Sequence, residues 1–237
     1  MAASIVMVSS QRFRVWFRKG ERVRYISHLD VLRFWERAIR RAGLPLSYSQ
    51  GFTPHPKIGF ASPLPLGFIG ESEVMDVTLD ERVSAEEFAE RIKVETSDDL
   101  GIIRVQEVSA TGPAPQAVLL MADYAADLPT VDPAEAACVV TAFLGRDEFP
   151  WVDARKERNR TYDLRAAVAS LSAEPWEGGT RLRMRLQADA DMTARPEQVV
   201  AALFPDAEAG DYRRTGLLLD EPSPAREAWR RRGRFEQ

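Results

Sequence analysis

Five prolines fall between Pro45 and Pro65, with Gly51, Gly59 and aromatic residues among them, and this run constrains the fold more than any other part of the chain. Each proline fixes its own φ and pushes the residue before it out of the helical region, so 45–65 cannot be one long helix. A backbone restricted at so many points has a fixed shape. The wider segment 22–67 also carries both histidines of the protein, His28 and His55. Two uses of such a stiff segment are open. It is either an elaborate core connection or a rigid platform that presents Ser49, Gln50, His55 and Lys57 to a partner.

Around it the sequence alternates between strand and helix signals. Residues 12–18 place Phe13, Val15 and Phe17 on one face and Arg12, Arg14, Trp16 and Arg18 on the other, the period-two pattern of a strand. Ser27 with Asp30 three residues on predicts a helix start, and Gly43 its end. Leu29, Leu32, Trp35, Ile39 and Ala42 form the expected buried stripe, leaving Arg33, Arg37, Arg40 and Arg41 outside it. A strand is expected over 72–79. Ser84 and Glu87 then form a capping box, with Val83 and Phe88 as a hydrophobic staple, and 102–108 reads as a further strand. The Thr111-Gly112-Pro113-Ala114-Pro115 stretch is the clearest linker.

A second round follows it. Residues 117–126 predict a strand, and Asp132 with Pro133 opens a helix that runs to Gly145. Strands are expected at 149–152 and 180–186, with an apolar insertion between them. Pro196 opens a last helix and 212–219 forms a last strand. The order strand, helix, strand, strand, helix, strand, taken twice, predicts an α+β protein of two tandem ferredoxin-like (βαββαβ) halves with antiparallel sheets. Their bounds are 11–110 and 116–221, followed by a basic tail at 222–237.

Composition excludes several chemistries. One cysteine and two histidines cannot by themselves build a structural zinc site or hold an iron–sulfur cluster. No phosphate-cradling loop, dinucleotide fingerprint or nucleophile elbow is present, so no cofactor is expected on this chain. Cys138 lies in the apolar run Ala136-Ala137-Cys138-Val139-Val140 and reads as a buried, inert thiol. No apolar run approaches the roughly 18 residues of a membrane span, and no leader precedes the first strand, so the expectation is a cytoplasmic protein without a membrane partner.

The net charge of −4 hides a segregation of sign. Residues 1–60 carry eleven basic side chains against three acidic ones, whereas 71–100 carry three basic against eleven acidic. Opposed blocks either neutralise each other within the fold or leave the basic one facing a polyanion. Arg24, Arg33, Arg37 and Lys57, with Tyr25 and Phe52, make a basic and aromatic set of the kind that contacts phosphate and stacks bases. Two further basic groups stand at 155–160 and at Arg181, Arg183 and Arg185, the latter on one strand face and suited to an anion or to protecting a sheet edge. His28 and His55, if they share a cleft, would supply the acid and base of a metal-free RNA cleavage. The competing account of each histidine is a local hydrogen bond that satisfies a turn.

The stretches Val23-Arg24-Tyr25-Ile26-Ser27-His28-Leu29-Asp30, Tyr48-Ser49-Gln50-Gly51-Phe52-Thr53-Pro54-His55-Pro56-Lys57 and Pro63-Leu64-Pro65-Leu66-Gly67 closely resemble the radical-SAM-linked family of uncharacterised bacterial domains. Arg160-Thr161-Tyr162-Asp163-Leu164-Arg165 and Arg213-Arg214-Thr215-Gly216-Leu217 resemble that family's later signature segments. The resemblance implies a radical-SAM enzyme as partner, often one with a cobalamin-binding region. This chain, lacking the three-cysteine cluster motif, would be the stand-alone associated domain. The resulting expectation is an accessory domain that engages RNA or an RNA-containing substrate through Arg24, Tyr25, His28, Arg33, Arg37, Ser49, Gln50, Phe52, His55 and Lys57. A metal-independent RNA-processing or RNA-modifying enzyme using His28 and His55, and a protein-docking adaptor, are the alternatives.

Overall fold

The computed structural model describes residues 10–153, 160–190 and 192–220. Along them run β1 (Gln11–Lys19), α1 (His28–Arg41), β2 (Ile58–Phe60), β3 (Ile69–Leu79), α2 (Ala85–Glu95) and β4 (Ile102–Val108). There follow β5 (Leu119–Leu128), α3 (Pro133–Leu144), β6 (Pro150–Asp153), β7 (Arg160–Asp163), β8 (Val168–Trp176), β9 (Gly179–Gln187), α4 (Pro196–Leu203) and β10 (Tyr212–Leu219). One sheet takes the order β4-β1-β3-β10-β5-β9-β8, with β2 added on β3, and β6 with β7 forms a separate hairpin. Its pairings are antiparallel except that of β10 with β3, so the protein is α+β with a mostly antiparallel sheet.

Alternation in β1 sets the first core. Phe13, Val15 and Phe17 turn toward α1 and α2 and pack with Trp35, Ile39, Phe88 and Ile92. The Ser27 hydroxyl caps α1 by accepting from the Asp30 N–H at 3.2 Å, as the spacing predicts. The buried stripe is rotated from the expected one. Val31, Trp35, Ala38 and Ile39 face the sheet, while Leu29 is 59% exposed. Both sets satisfy a 3.6-residue period, and the edge contact of Trp35 with Phe17, 5.2 Å between ring centroids, accompanies the one adopted.

The second core gathers Ala122, Tyr124, Ala126 and Leu128 of β5 with Val140 and Phe143 of α3, Val199 and Val200 of α4 and the inward residues of β9. Because α3 turns Ala136, Val140 and Phe143 inward, Cys138 falls on its outer face and is exposed, contrary to expectation. The apolar insertion expected after β7 contains a full strand, β8, hairpinned to β9 through Glu177 and Gly178. A register shift between Val168 and Ser170 breaks its alternation, which hides the strand from a period-two reading.

The face away from the helices is charged. Arg181, Arg183 and Arg185 pair with Asp127, Glu174 and Asp123 of the flanking strands. Since β9 lies between β5 and β8, this row is a cross-strand ladder inside the sheet and protects no edge. Arg14 and Asp76 form a buried pair at 2.8 Å on the same face of the first half. Arg12 donates to the Pro113 carbonyl there, at 3.2 Å, so the linker is held against the sheet.

One edge of β3 serves two strands. Its C-terminal part, Met75 to Val77, pairs with β2, and its N-terminal part, Ile69 and Gly70, pairs with Arg213 and Arg214 of β10. The division follows from the sequence after Phe60. Pro63 and Pro65 have no N–H to give to a ladder, so β2 stops and the remaining edge is left for β10. There Arg214 enters the interior and donates to the Glu73 carboxylate through Nε at 2.8 Å and through Nη2, to the Ser62 carbonyl at 2.9 Å and to the Ser62 hydroxyl at 3.2 Å. Gly70 makes room for this, since a Cβ there would stand 2.6 Å from Glu73 Cγ. Phe68 stacks on Tyr212 at 5.1 Å beside it.

Removing one member of a buried pair strands the other charge, at a cost of about 3–5 kcal/mol. Arg214→Ala is therefore expected to lower the urea midpoint sharply, and Glu73→Leu combined with Arg214→Met to recover most of the loss. An Arg214→Ala midpoint equal to that of the unaltered protein would contradict this view of the seam.

Candidate functional site

The proline-rich segment builds a stiff arm on the edge of the first half. The Ser47 N–H bonds the Thr78 carbonyl at 2.9 Å, the Thr78 N–H the Lys57 carbonyl at 3.0 Å and the Lys57 N–H the Ser47 carbonyl at 2.8 Å. Farther out, Tyr48 bridges Pro56. The Ser49 N–H donates to the His55 carbonyl at 2.8 Å, and the His55 N–H donates to the Ser49 hydroxyl at 2.9 Å. Gly51, at φ +129, takes a backbone conformation that side chains rarely allow, and the chain turns there. Residues 50–55 are all exposed, and Phe52 is 109% exposed at the tip. A phenylalanine left in water forgoes about 1.5–3 kcal/mol of burial, so this ring contributes nothing to the fold.

The arm rests on α1. The Tyr48 hydroxyl donates to Glu36 at 3.0 Å, and the Arg40 charge reaches the same phenol. Burial and the Glu36 carboxylate together hold the Tyr48 phenol above its ordinary pKa, so it stays the donor of that bond. From this contact the outer face of α1 runs back toward its N-terminus through Arg40, Arg37 and Arg33, all exposed. About 1.5 Å of rise per residue puts the first and last of them roughly 10 Å apart along the axis.

The opposed charge blocks meet only in part. Arg12 and Arg14 pair with Asp76, Arg22 with Asp99 and Arg41 with Glu95. Arg33 has only Asp30 of its own helical turn, at 3.4 Å. Among the described residues Arg37, Arg40 and Lys57 have no ion-pair partner. Arg24 departs from this set. It turns to the seam, pairs with Asp211, bonds the Tyr25 hydroxyl at 2.9 Å and lies 4.9 Å from the Tyr25 ring centre. Tyr25 itself is 68% exposed. The basic residues at 155–159 and the tail at 222–237 lie outside the described residues.

His28 is at the start of α1 and lies edge-on to Phe60 at 4.8 Å. It lines a small pocket of about 10 Å³ with Phe17, Lys19, Val31, Phe60, Ser62, Leu64 and Glu73. Lys19, only 3% exposed, donates from Nζ to the carbonyls of Arg24 and Ile26 at 2.9 and 3.1 Å and so fixes the turn that leads to His28. Burial pushes the His28 pKa below its usual 6.5. The Glu73 charge opposes that shift, and the Lys19 and Arg214 charges add to it. The imidazole is accordingly neutral at pH 7.

His55 is on the exposed arm and does not line that pocket. The structure thus joins the arm to α1 through Tyr48, pairs Ser49 with His55 farther out on it, and keeps His28 with the seam. Sequence reading missed Lys19, Glu73, Ser62 and Arg214. The signal for two of them was present: Lys19 continues the inward parity of Phe13, Val15 and Phe17, and Glu73 that of Met75 and Val77. A charge on a core-facing parity marks a buried partner. Among the described residues no group of three or more His, Cys, Asp or Glu side chains is placed to hold a metal. Nor is any of their helices long and apolar enough to cross a membrane.

Residues 12–196 match the model of a family described as "Uncharacterized protein conserved in bacteria (DUF2344)". No curated protein matches the chain. Among solved structures, a chain of a Cbf5-Nop10-Gar1 complex is 17% identical, with a TM-score of 0.48 over 89% of this chain and 50% of that one. An unknown protein from Galdieria sulphuraria is 14% identical, with a TM-score of 0.26 over 76% of this chain and 81% of that one. The chain spans half the length of the first of these. At such TM-scores neither likeness carries an argument.

The depressed pKa of His28 fixes a sign for stability. Between the lowered folded value and the ordinary 6.5, the unfolded chain binds a proton that the folded one does not. Stability is therefore full above pH 6.5 and falls as the pH drops below it. His28→Asn should flatten the urea midpoint between pH 7.5 and 5 relative to the unaltered protein, and parallel profiles for the two would contradict it.

Proposed function

Since the chain belongs to the DUF2344 family of uncharacterized proteins conserved in bacteria, we propose that it is an accessory binding module: it engages RNA and presents it to a separate radical-SAM enzyme. The observation that carries the RNA half of this reading is the outer face of α1. Three arginines, Arg33, Arg37 and Arg40, share it with no ion pair among the described residues beyond that of Arg33 with Asp30, the Glu36 carboxylate between them being taken by the Tyr48 hydroxyl, next to an arm that ends in a bare aromatic ring. Phosphates supply the charge that this face lacks, and unstacked bases supply a surface for the ring. Lys57, Gln50 and His55 stand on the same arm, where they can contact the backbone or base edges. Arg24 and Tyr25 belong to the seam, and their part is to hold the entrance to α1. The radical-SAM partner rests on the resemblance of the three signature stretches between Val23 and Gly67.

The strand orders support the tandem reading of the fold. β4-β1-β3-β2 and β10-β5-β9-β8 each follow the ferredoxin-like order of a βαββαβ unit, and the two units join through β3 and β10. Domain bounds of 11–110 and 116–221 are consistent with that division. An acid–base pair of His28 and His55 gains nothing from the geometry, because the pocket that holds one lacks the other.

The test is binding of a labelled RNA followed by fluorescence anisotropy over a range of salt. Each phosphate contact releases counterions, so Arg33→Glu with Arg37→Glu should weaken binding at least about ten-fold at 0.1 M salt and reduce the salt slope by about 2. Both side chains are exposed, so the urea midpoint should not move. RNA binding indifferent to these changes would put the interface elsewhere, and no RNA binding at any salt would leave protein docking as the reading.

A further inference from the structure

Tyr25, Leu29, Phe52 and Leu66, four of the exposed large hydrophobic side chains, come from 22–67, and Phe52 stands apart even among these. Phe52 is carried away from the body on an arm whose two sides are locked together at Tyr48 and Pro56, at Ser49 and His55 and at Ser47 and Lys57. Pro54 and Pro56 stiffen its returning side, and Gln50, Gly51, Thr53 and Pro54 around the ring are themselves exposed. Nothing in the described chain covers the ring or restrains it except the backbone that presents it.

A ring in that position distinguishes between kinds of RNA. In a continuous A-form duplex the faces of the bases are occupied by one another and the grooves offer a side chain only edges, sugars and phosphates. An unpaired base in a single strand, loop or bulge offers a free π-face, which an aromatic side chain can stack upon whatever the base is. The adjoining charges are arranged to accompany such a contact, for Tyr48 ties the arm to Glu36 in the middle of α1 and the exposed arginines extend along the helix on both sides of that point. We propose that Phe52 is a stacking wedge and that the RNA taken by this face is unpaired. Duplex is discriminated against because it can satisfy the arginines but not the ring. This rests on the RNA reading above and adds to it the structural class of the substrate.

Three labelled RNAs separate the possibilities: an unstructured single strand, the same strand in a blunt duplex, and a hairpin with a long unpaired loop. The unaltered protein should bind the single strand and the loop more tightly than the duplex. Phe52→Ala should lose about ten-fold or more on the first two and change little on the duplex, while Phe52→Tyr stays within about two-fold throughout. Because the ring packs against nothing, the urea midpoint of Phe52→Ala should equal that of the unaltered protein. Single-strand affinity unchanged in Phe52→Ala, with Arg33→Glu/Arg37→Glu still weakened, would overturn the wedge and leave the RNA interface standing. Equal or tighter binding of the duplex by the unaltered protein would also overturn it. Failure to bind any of the three RNAs would overturn both.

Discussion

The Arg214–Glu73 pair at the shared edge of β3 is the interaction on which the rest of the structure depends. β10 reaches β3 over only two residue pairs, Arg213 with Ile69 and Arg214 with Gly70, too short a ladder to join two sheets by backbone bonds alone. The buried guanidinium adds to it contacts with Glu73 of β3 and with Ser62 and the Pro63 carbonyl of the segment after β2. Burial alone would disfavour the charged form of Arg214, but the Glu73 carboxylate together with Tyr124 more than reverses that and keeps the guanidinium charged. Two cores thereby share one polar centre, flanked by the Phe68–Tyr212 stack and the Arg24–Asp211 pair.

The placement of the exposed arm follows from the same edge. β2 has only three residues because the prolines after Phe60 end it and leave the rest of the edge to β10, and the chain enters it from the arm and leaves it through Ser62 and Pro63 toward Arg214. One side of 45–65 is therefore fixed by the seam and the other by the Tyr48–Glu36 bond to α1. A segment held at both ends and stiffened by proline can carry an unburied ring without collapsing onto the core. The same anchoring fixes the backbone of Lys57 between Ser47 and Thr78.

Local chemistry was legible in the sequence and long-range partnership was not. The Ser27 and Ser84 caps, the Asp132–Pro133 helix start and β10 all lie where residue patterns put them, because each depends on neighbours within a few positions, although Glu87 pairs with Arg91 and is not seen to close the box expected with Ser84. The α1 stripe was misplaced by a fraction of a turn, since two sets of apolar residues fit the helical period and only Phe17 and the sheet beneath decide between them. The apolar run around Cys138 points to the core, whereas a helix with small residues on several faces does not declare which of them is buried. Glu73 and Arg214 lie 141 residues apart in sequence, so no local signal joins them. The arm's stiffness was readable from its prolines. Its attachment to Glu36 was not.

The most direct test of the account is to crosslink a photoactivatable single-stranded RNA to the whole protein and map the adducts by peptide. If the interface is the arm and the outer face of α1, adducts concentrate in peptides that contain Phe52 and the Arg33 to Arg40 stretch, and excess unlabelled single strand removes them. Adducts confined to the charged face formed by β5, β8 and β9, or spread evenly over the surface, would contradict it.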